Sequence, residues 1–351
     1  MSTQPPGHGP QGRLWLSEGI PGSGGRIKDR PEDFEVEELP AYQPSGEGTH
    51  LYLWIEKVEV DTQAVARALA KACGVDAGEV GYAGMKDRRA VTRQLFSVPA
   101  RNQAGLEGFA LPGVKVLWTR LHQNKLRTGH LIGNRFVLRL REVSDADAGL
   151  KSFEVLARRG LPNAFGAQRF GTKGDNAAWG KMLIQGQRLP TRPERFQRKL
   201  YLSAYQSELF NRVLAQRLLD GTFDRALLGD RLRKETGGMF LCEAPEVDQP
   251  RVDAFEVSAT GPLFGPKMPR PAGEVDAREL AVLTEEGLTL DDFKRGGGET
   301  EGTRRALRVR LGEASAERDG GDLLLRFTLP AGSYATQVLD EVVKPVLEQA
   351  V

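Results

Sequence analysis

Histidine and cysteine are scarce in this sequence, with four and two residues among 351. No histidine pair has the spacing of a zinc motif, and Cys73 lies far from Cys242, so we expect no metal site. So few cysteines are typical of a reduced, cytoplasmic protein. No apolar run approaches the roughly 20 residues that a membrane-spanning helix needs. We therefore expect no transmembrane segment. Residues 1–25 begin without signal-peptide features, and we expect a flexible lead-in there.

Three cofactor and acyl-transfer signatures are also missing. The chain has no Gly-x-x-x-x-Gly-Lys-Ser/Thr loop and no Gly-x-Gly-x-x-Gly after a predicted strand. It has no Gly-x-Ser-x-Gly element, and neither cysteine stands in an obvious nucleophile setting. These absences disfavour a nucleotide-cofactor enzyme and leave a cofactor-free reaction or plain binding.

Acidic residues are absent from one long segment, Trp118 to Arg141, which carries six lysines and arginines. Further basic clusters occupy 191–200 and 303–310, whereas acids concentrate at 273–292. Local positive potential attracts phosphates even when the net charge is only +2. The segregation is compatible with a polyanion-binding protein, and equally with solvated charged faces.

Period-2 and helical patterns interleave along the chain. Strands are predicted at 50–60, 91–100 and 134–143, and a helix follows Asp61 or Thr62 and ends at Gly74. The strand at 134–143 places arginines opposite Phe136, Leu138 and Leu140, and so predicts a basic face opposite a core face. Further on, helices are predicted at about 150–160 and 202–221, a strand at 304–311, and a strand followed by a helix at 322–345. This order, without regular strand–helix alternation, predicts a mixed α+β fold.

Asp87 stands alone among four bases in "GYAGMKDRRAVTRQ" (81–94). Neighbouring cations favour an ionised carboxylate, which can attack carbon or act as a base, while lysine and arginine hold a phosphate nearby. The alternative is a surface turn held by Asp–Arg pairs of small energetic value. The local sequence alone favours that turn.

Base recognition in RNA needs flat apolar side chains and amides. Phe34, Phe136 and Phe327 are candidates, although phenylalanine is more often a core residue. Asn134 precedes Phe136 by two, so on a strand both side chains point to one face. The other interpretation of Asn134 is a turn residue after Gly133.

Eight blocks carry a resemblance that covers about residue 26 to the end. They are "RPEDFEVEE" (30–38), "GYAGMKDRRAVTRQ" (81–94), "NKLRTGHLIGNRFVLRLR" (124–141), "PNAFGAQRFG" (162–171), "LYLSAYQSELFNRVL" (200–214), "TGPLFG" (260–265), "RRALRV" (304–309) and "LPAGSYATQVL" (329–339). In this order they resemble the TruD family of tRNA pseudouridine synthases.

The resemblance implies a fold and a domain division. The fold is an α+β pseudouridine synthase fold, with a mixed, mainly antiparallel sheet and helices, interrupted by a family-specific α/β insertion domain. The catalytic domain then comprises 26–158 and 304–351, and the insertion 159–303. One departure is Ala164, where the family commonly has tyrosine; it puts a packing or RNA contact in doubt, not the chemistry.

The resemblance also implies the reaction: a uridine of tRNA, position 13 in bacterial members, becomes pseudouridine without metal or cofactor. The family's catalytic aspartate falls on Asp87, and its base-contacting residues on Phe34 and Asn134. Phe136 and Phe327 are weaker assignments, and Lys28 is a candidate charge partner of the aspartate. The first step is either attack of Asp87 on C1′ or abstraction of the 2′ proton.

The substrate tRNA is the one partner implied, and we expect a monomer. The alternative is a non-catalytic tRNA-binding or RNA-folding protein on the same scaffold. A nucleotide-phosphate enzyme using the loop from Gly84 to Arg89 is a third hypothesis, which requires nucleoside triphosphate binding.

Overall fold

The structure is a computed structural model that describes residues 14–344. Its chain alternates strands and helices irregularly, as the sequence predicts. The strands are β1 (Phe34–Pro40), β2 (His50–Val58), β3 (Gly81–Tyr82), β4 (Val91–Pro99), β5 (Val114–His122), β6 (Leu131–Leu140), β7 (Leu161–Pro162), β8 (Arg231–Lys234), β9 (Met239–Leu241), β10 (Val257–Leu263), β11 (Thr303–Ala306), β12 (Arg308–Val309), β13 (Gly312–Asp319) and β14 (Asp322–Pro330). The α-helices are α1 (Thr62–Cys73), α2 (Ala146–Arg159), α3 (Asn176–Ile184), α4 (Arg195–Leu219), α5 (Pro245–Asp253), α6 (Gly273–Glu285) and α7 (Ala335–Val343).

A large mixed sheet organises the molecule. Its strand order is β13-β14-β6-β1-β4-β2-β5, and β3 pairs with β4. β1 and β4 run parallel, whereas the other neighbouring strands run antiparallel. The α+β fold class is therefore confirmed, with a mainly antiparallel sheet.

One face of this sheet, called here the front face, is covered by α1, α2 and α7. Val65 and Leu69 of α1 pack on Leu53 and Phe96. The Asp61 side chain accepts from the main-chain N–H of Ala64, and Gly74, at φ 62°, ends the helix in the left-handed conformation, as predicted. At the other half of the sheet, α2 and α7 enclose the core around Phe136 and Phe327. Between these two cores the front face is open, and the candidate site lies there.

A second, four-stranded sheet has the order β11-β10-β8-β9. Beside it, α4 and α6 enclose a separate core with α3. These elements lie mostly in the predicted insertion, 159–303, but β11 pairs with β10 up to Ala306. The strand predicted at 304–311 is interrupted at Leu307, because β11 pairs with β10 while β12 pairs with β7.

Residues 14–25 differ from the flexible lead-in that the sequence predicts. Ser17 is buried, and its N–H and hydroxyl both donate to Glu341 Oε1 on α7, at 2.7 and 2.8 Å. Lys344 Nζ donates to the carbonyls of Ser17 and Ile20 at 2.7 and 2.6 Å. This segment therefore fastens the N-terminal side of the chain to its last described helix. The rest of the predicted lead-in, 1–13, lies outside the described residues.

Candidate active site

Asp87 lies in the loop between β3 and β4, at the open centre of the front face. It lines a cavity of about 380 Å³. Phe34, Asn134 and Phe136 line the same cavity, so four of the residues singled out from sequence come together. The Asp87 side chain is 42% exposed, and its carboxylate is accessible to a bound molecule.

Lys28 is the charge partner of Asp87, with Nζ 3.4 Å from Oδ1. The same ammonium lies 3.8 Å from the centre of the Phe34 ring, a cation–π contact. Lys28 has φ of 53°, a backbone conformation that side chains other than glycine and asparagine rarely adopt. Strained residues of this kind cluster at functional sites, so the geometry of Lys28 agrees with a functional position.

The four bases that flank Asp87 in sequence have other partners. Lys86 Nζ lies 2.7 Å from Glu38 Oε2 in a buried ion pair, and Arg93 pairs with Glu56 on the opposite face of the sheet. Arg88 and Arg89 donate to the main-chain carbonyls of Glu59 and Asp29. Among residues 14–344, only Lys28 forms an ion pair with Asp87. The turn of Asp–Arg pairs that the local sequence favours is therefore wrong.

Two phenylalanines form the apolar wall of the cavity. Phe34 of β1 and Phe136 of β6 meet edge to face, with ring centres 6.3 Å apart. Phe327 of β14 does not line the cavity; it is fully buried and stacks behind Phe136 at 5.3 Å between ring centres. The structure thus places Phe327 as a support for Phe136 rather than in contact with a bound base.

Asn134 contributes a polar group to this wall. It lies two residues before Phe136 on β6, so the two side chains share the front face as predicted. Its Oδ1 is buried and has no hydrogen-bond partner in the part of the chain that the structure describes. An unpaired buried acceptor costs about 1–3 kcal/mol, and a bound N–H donor would remove that cost.

The segment before Phe34 is held by a buried carboxylate. Asp33 accepts from the Arg141 guanidinium at 2.7 to 3.0 Å and from the Arg30 main-chain N–H at 2.9 Å. Burial raises the pKa of Asp33, but these hydrogen bonds and the nearby charges more than offset it, and the pKa falls below its usual value. These contacts hold the turn that precedes Phe34 and therefore help to fix the position of its ring.

Sequence reasoning missed several residues at the site. Gln168, Ser333 and Tyr334 line the cavity, and the last two come from the loop before α7. Lys57 on β2 lies beneath the Asp87 loop, fully buried. A signal for Lys57 was present, because it continues the period-2 row of Leu51, Leu53 and Ile55 that faces the core.

The basic face predicted for β6 is largely neutralised. Arg135 pairs with Glu37 at 3.0 Å, Arg139 with Asp319 at 2.7 Å, and Arg141 with Asp33. These acids come from distant parts of the chain. The positive charge that the acid-free segment suggests is therefore compensated along β6.

Unpaired cations line a different surface, a cleft of about 610 Å³ between the two sheets. Arg233, Lys234 and Arg310 are exposed there, and no carboxylate within 14–344 pairs with any of them. The cleft shares Ala331 and Ser333 with the cavity at Asp87. It therefore joins the candidate active site to a positively charged surface.

Arg305 lies where the cleft meets the cavity. Its guanidinium lies 4.3 Å from the centre of the Phe165 ring and donates to the carbonyls of Asn163 and Gly332, each at 3.1 Å. Burial lowers the pKa of Arg305 to about 10. The residue connects β11 to the loop that closes the cavity.

No helix between residues 14 and 344 is both long and apolar enough to cross a membrane. Across the same span, no group of three histidine, cysteine, aspartate or glutamate side chains is placed to hold a metal ion.

The chain matches a known protein family along most of its length. The profile of the family described as "tRNA pseudouridine synthase D (TruD)" matches residues 12–189 and 192–342. The chain belongs to the TruD family. The resemblance inferred from the eight blocks is thereby confirmed.

Relatives within the family match along nearly their whole length. A tRNA pseudouridine synthase D of Anaeromyxobacter sp. (strain Fw109-5) is 50% identical over 330 residues, which cover 93% of this chain and 94% of the relative. One from Thermus thermophilus is 44% identical over 341 residues, covering 95% and 93%. A crystal structure of a TruD protein from Methanosarcina mazei superimposes with a TM-score of 0.78 at 24% identity, covering 95% of this chain and 96% of that one. That last likeness shows the fold.

Ala164, the departure from the family's usual tyrosine, lies away from Asp87. It lines another cavity, of about 660 Å³, with Phe165 and Asn211. Its side chain is partly buried against the main core. Ala164 does not line the cavity at Asp87.

Proposed function

We propose that this TruD-family protein isomerises a uridine of tRNA, at position 13, to pseudouridine with Asp87 as the essential carboxylate. The C1′–N1 bond breaks, the uracil rotates, and a C1′–C5 bond forms; N1 gains a proton and C5 loses one. The substrate and reaction class follow from the family and its curated relatives.

One observation carries the role of Asp87: its accessible carboxylate shares a cavity with two aromatic side chains and an unpaired amide oxygen. A volume of about 380 Å³ is within the range of about 300–1,000 Å³ usual for ligand sites. Phe34 and Phe136 line the apolar side of the cavity against which a base would lie. Asn134 Oδ1 lacks a donor, which the imide N–H of uracil would supply.

Either proposed first step begins from an ionised Asp87. Attack on C1′ forms an ester and releases uracil, whereas removal of the 2′ proton forms a glycal and releases uracil. Lys28 would stabilise the negative charge on Asp87 before the reaction. Its contact with Phe34 keeps that ammonium beside the base as well as beside the acid.

The uridine must leave its folded tRNA to enter this cavity, which costs a few kcal/mol. We infer that the cleft with Arg233, Lys234 and Arg310 offsets this cost by binding phosphates next to the cavity. The two sheets that border the cleft support division of the chain into a catalytic domain (26–158 and 304–351) and an insertion (159–303), which remains our proposal. We also propose that the protein acts as a cytoplasmic monomer.

The test uses an unmodified transcript of a tRNA with uridine at position 13. Wild type and Asp87→Asn are incubated with it, and pseudouridine is mapped by carbodiimide-dependent stops of reverse transcription. We expect full conversion by the wild type and none by Asp87→Asn, with unchanged tRNA affinity. Asp291→Asn, an exposed carboxylate of the insertion, is the matched control and should remain fully active.

Two results would contradict the proposal. Undiminished activity of Asp87→Asn would remove its role as the essential carboxylate. Wild type that binds tRNA but modifies none would favour the alternative, a non-catalytic RNA-binding protein. Conversion at another uridine would correct the position and leave the reaction standing.

A further inference from the structure

Lys57 is a buried lysine without an acidic partner. Its side chain is fully inaccessible, and no carboxylate of the described residues lies within ion-pair distance. Lysine is almost never fully buried unless it is paired. Its Nζ instead donates to the main-chain carbonyl of Asp87 at 2.8 Å.

This hydrogen bond is one of three that fix the main chain of the Asp87 loop from below. The carbonyl of Gly84 accepts from Gln94 Nε2 at 3.1 Å, and the N–H of Lys86 donates to Thr62 Oγ1 at 3.0 Å. Thr62 and Gln94, like Lys57, are fully buried. Their own side chains are joined, since Thr62 Oγ1 donates to Gln94 Oε1 at 3.0 Å. Buried groups thus hold the loop backbone, while the carboxylate of Asp87 is free to face the cavity.

No carboxylate of residues 14–344 forms an ion pair with Lys57, although three charged groups lie near enough to affect its pKa. Its pairing neighbours are Thr92 on β4 and Val114 on β5, both uncharged. Burial lowers the pKa of Lys57 to about 8; the carboxylates of Asp87 and Asp61 act against this shift, and the Lys86 ammonium adds to it. A cation kept in such a place at a cost in stability agrees with a functional position.

We propose that Lys57 is a positioning residue for the reaction: its hydrogen bond to the Asp87 carbonyl sets where the carboxylate stands in the cavity. This inference rests on the proposed role of Asp87. Lys57 does not line the cavity, so it acts on the reaction through Asp87 and not on the tRNA. Lys28, at the cavity side, holds the carboxylate, and Lys57 holds the backbone that carries it.

The experiment compares Lys57→Met and Lys57→Gln with wild type in single-turnover and steady-state assays on the tRNA transcript. A displacement of about 1 Å at a catalytic group can cost roughly 100-fold in rate, so we expect a roughly 10- to 100-fold lower kcat for Lys57→Met. Lys57→Gln keeps an N–H donor and should lose less. The KM and Kd for tRNA should stay within about twofold. Lys71→Met, on the exposed face of α1, is the matched control and should behave as wild type.

Stability separates positioning from a merely structural role. An unpaired buried ammonium carries a desolvation cost that an apolar side chain of similar length does not have. We therefore expect the Tm of Lys57→Met to equal or exceed that of wild type while kcat falls. Wild-type kcat in both variants would overturn the inference, as would a parallel fall of kcat, tRNA affinity and Tm. If Asp87→Asn were active in the same assay, the proposed function would fail instead; inactive Asp87→Asn beside fully active Lys57→Met would refute the positioning role alone.

Discussion

Two adjacent rows of residues cross the same strands of the large sheet and face opposite ways. The front row runs through Lys57, Thr92, Val36, Phe136 and Phe327, all buried. The back row, one residue away on each strand, runs through Glu56, Arg93, Glu37 and Arg135. There the charges alternate in sign, and each is half-exposed.

The difference lies in how charge is compensated. On the back, Arg93 lies 2.8 Å from Glu56, and Arg135 lies 3.0 Å from Glu37, so neighbouring strands neutralise each other. On the front, the lysine has only a carbonyl, and nearby Thr92 Oγ1 has no hydrogen-bond partner among the described residues. The paired charges of the back row stabilise the fold. On the front row, the buried Lys57 and Thr92 lower its stability beside the candidate active site. Four predictions test this contrast, in order of expected effect.

The largest effect is expected at the buried pair of Lys86 and Glu38, next to Asp87. Glu38→Gln leaves the Lys86 ammonium buried without its counter-charge. Breaking such a pair costs about 3–5 kcal/mol, which urea unfolding measures as a lower free energy of unfolding. The double variant Glu38→Gln, Lys86→Met should recover part of the loss, because no lone charge remains. A single variant within about 1 kcal/mol of wild type would show that this buried pair contributes no more than the exposed pairs of the back row.

The second effect is a pH dependence from Lys57. Its pKa is about 8 in the folded protein, against an ordinary 10.5. Between these values the unfolded chain binds more protons, so the free energy of unfolding rises with pH from about 8 to 10.5. The total gain from this group is of the order of 3 kcal/mol. Urea unfolding at several pH values should show this rise in wild type relative to Lys57→Met, and parallel pH curves would contradict it.

The third effect concerns the accessible pair at Asp87. Lys28→Met removes the cation beside the carboxylate, and we expect kcat to fall about tenfold, equivalent to about 1.4 kcal/mol. The free energy of unfolding should change by less than about 1 kcal/mol, because the pair is partly exposed. Lys151→Met, on the exposed side of α2, serves as the control. An unchanged kcat would mean that Lys28 does not assist Asp87.

The smallest effect is expected on the back row. Arg93→Met removes the cation between Glu56 and Glu37, and surface pairs contribute about 0–1 kcal/mol. The loss in unfolding free energy should shrink further at high salt, because screening weakens exposed pairs. Activity should not change, since Arg93 faces away from the cavity. A large fall in kcat would show that the two faces are coupled.

Local sequence patterns predicted the elements well where they were regular. The period-2 rows predicted β2 and β6, and the cap at Asp61 with the stop at Gly74 predicted α1. The local patterns did not predict that the arginines of β6 are neutralised. Glu37, Asp319 and Asp322 are brought next to β6 only by strand pairing. Nor did the local patterns predict the docking of Ser17 on α7, a contact between residues 324 positions apart in the chain.

The site was predicted by different means. Local reasoning at Asp87 favoured a surface ion cluster, because proximity in sequence does not reveal that Arg93 faces the other side of the sheet. The family resemblance supplied Asp87, Phe34, Asn134, Phe136 and Lys28, and the structure brings all five together. The resemblance also suggested Phe327, which lies behind Phe136 and does not line the cavity. The position of Lys57 in a row of core residues was visible in the sequence. A lysine at such a position is uncommon and indicates a specific role.

The cavity draws its walls from almost the whole length of the chain. Phe34 and Asp87 lie in the N-terminal third of the chain, whereas Ser333 and Tyr334 lie close to the last described helix. On the ribosome the N-terminal elements emerge first. The aromatic pair and the carboxylate are therefore made first, and the enclosing loop follows only after residues 159–303 have been synthesised. A nascent chain consequently lacks a closed site for a base until the loop with Ser333 and Tyr334 has emerged.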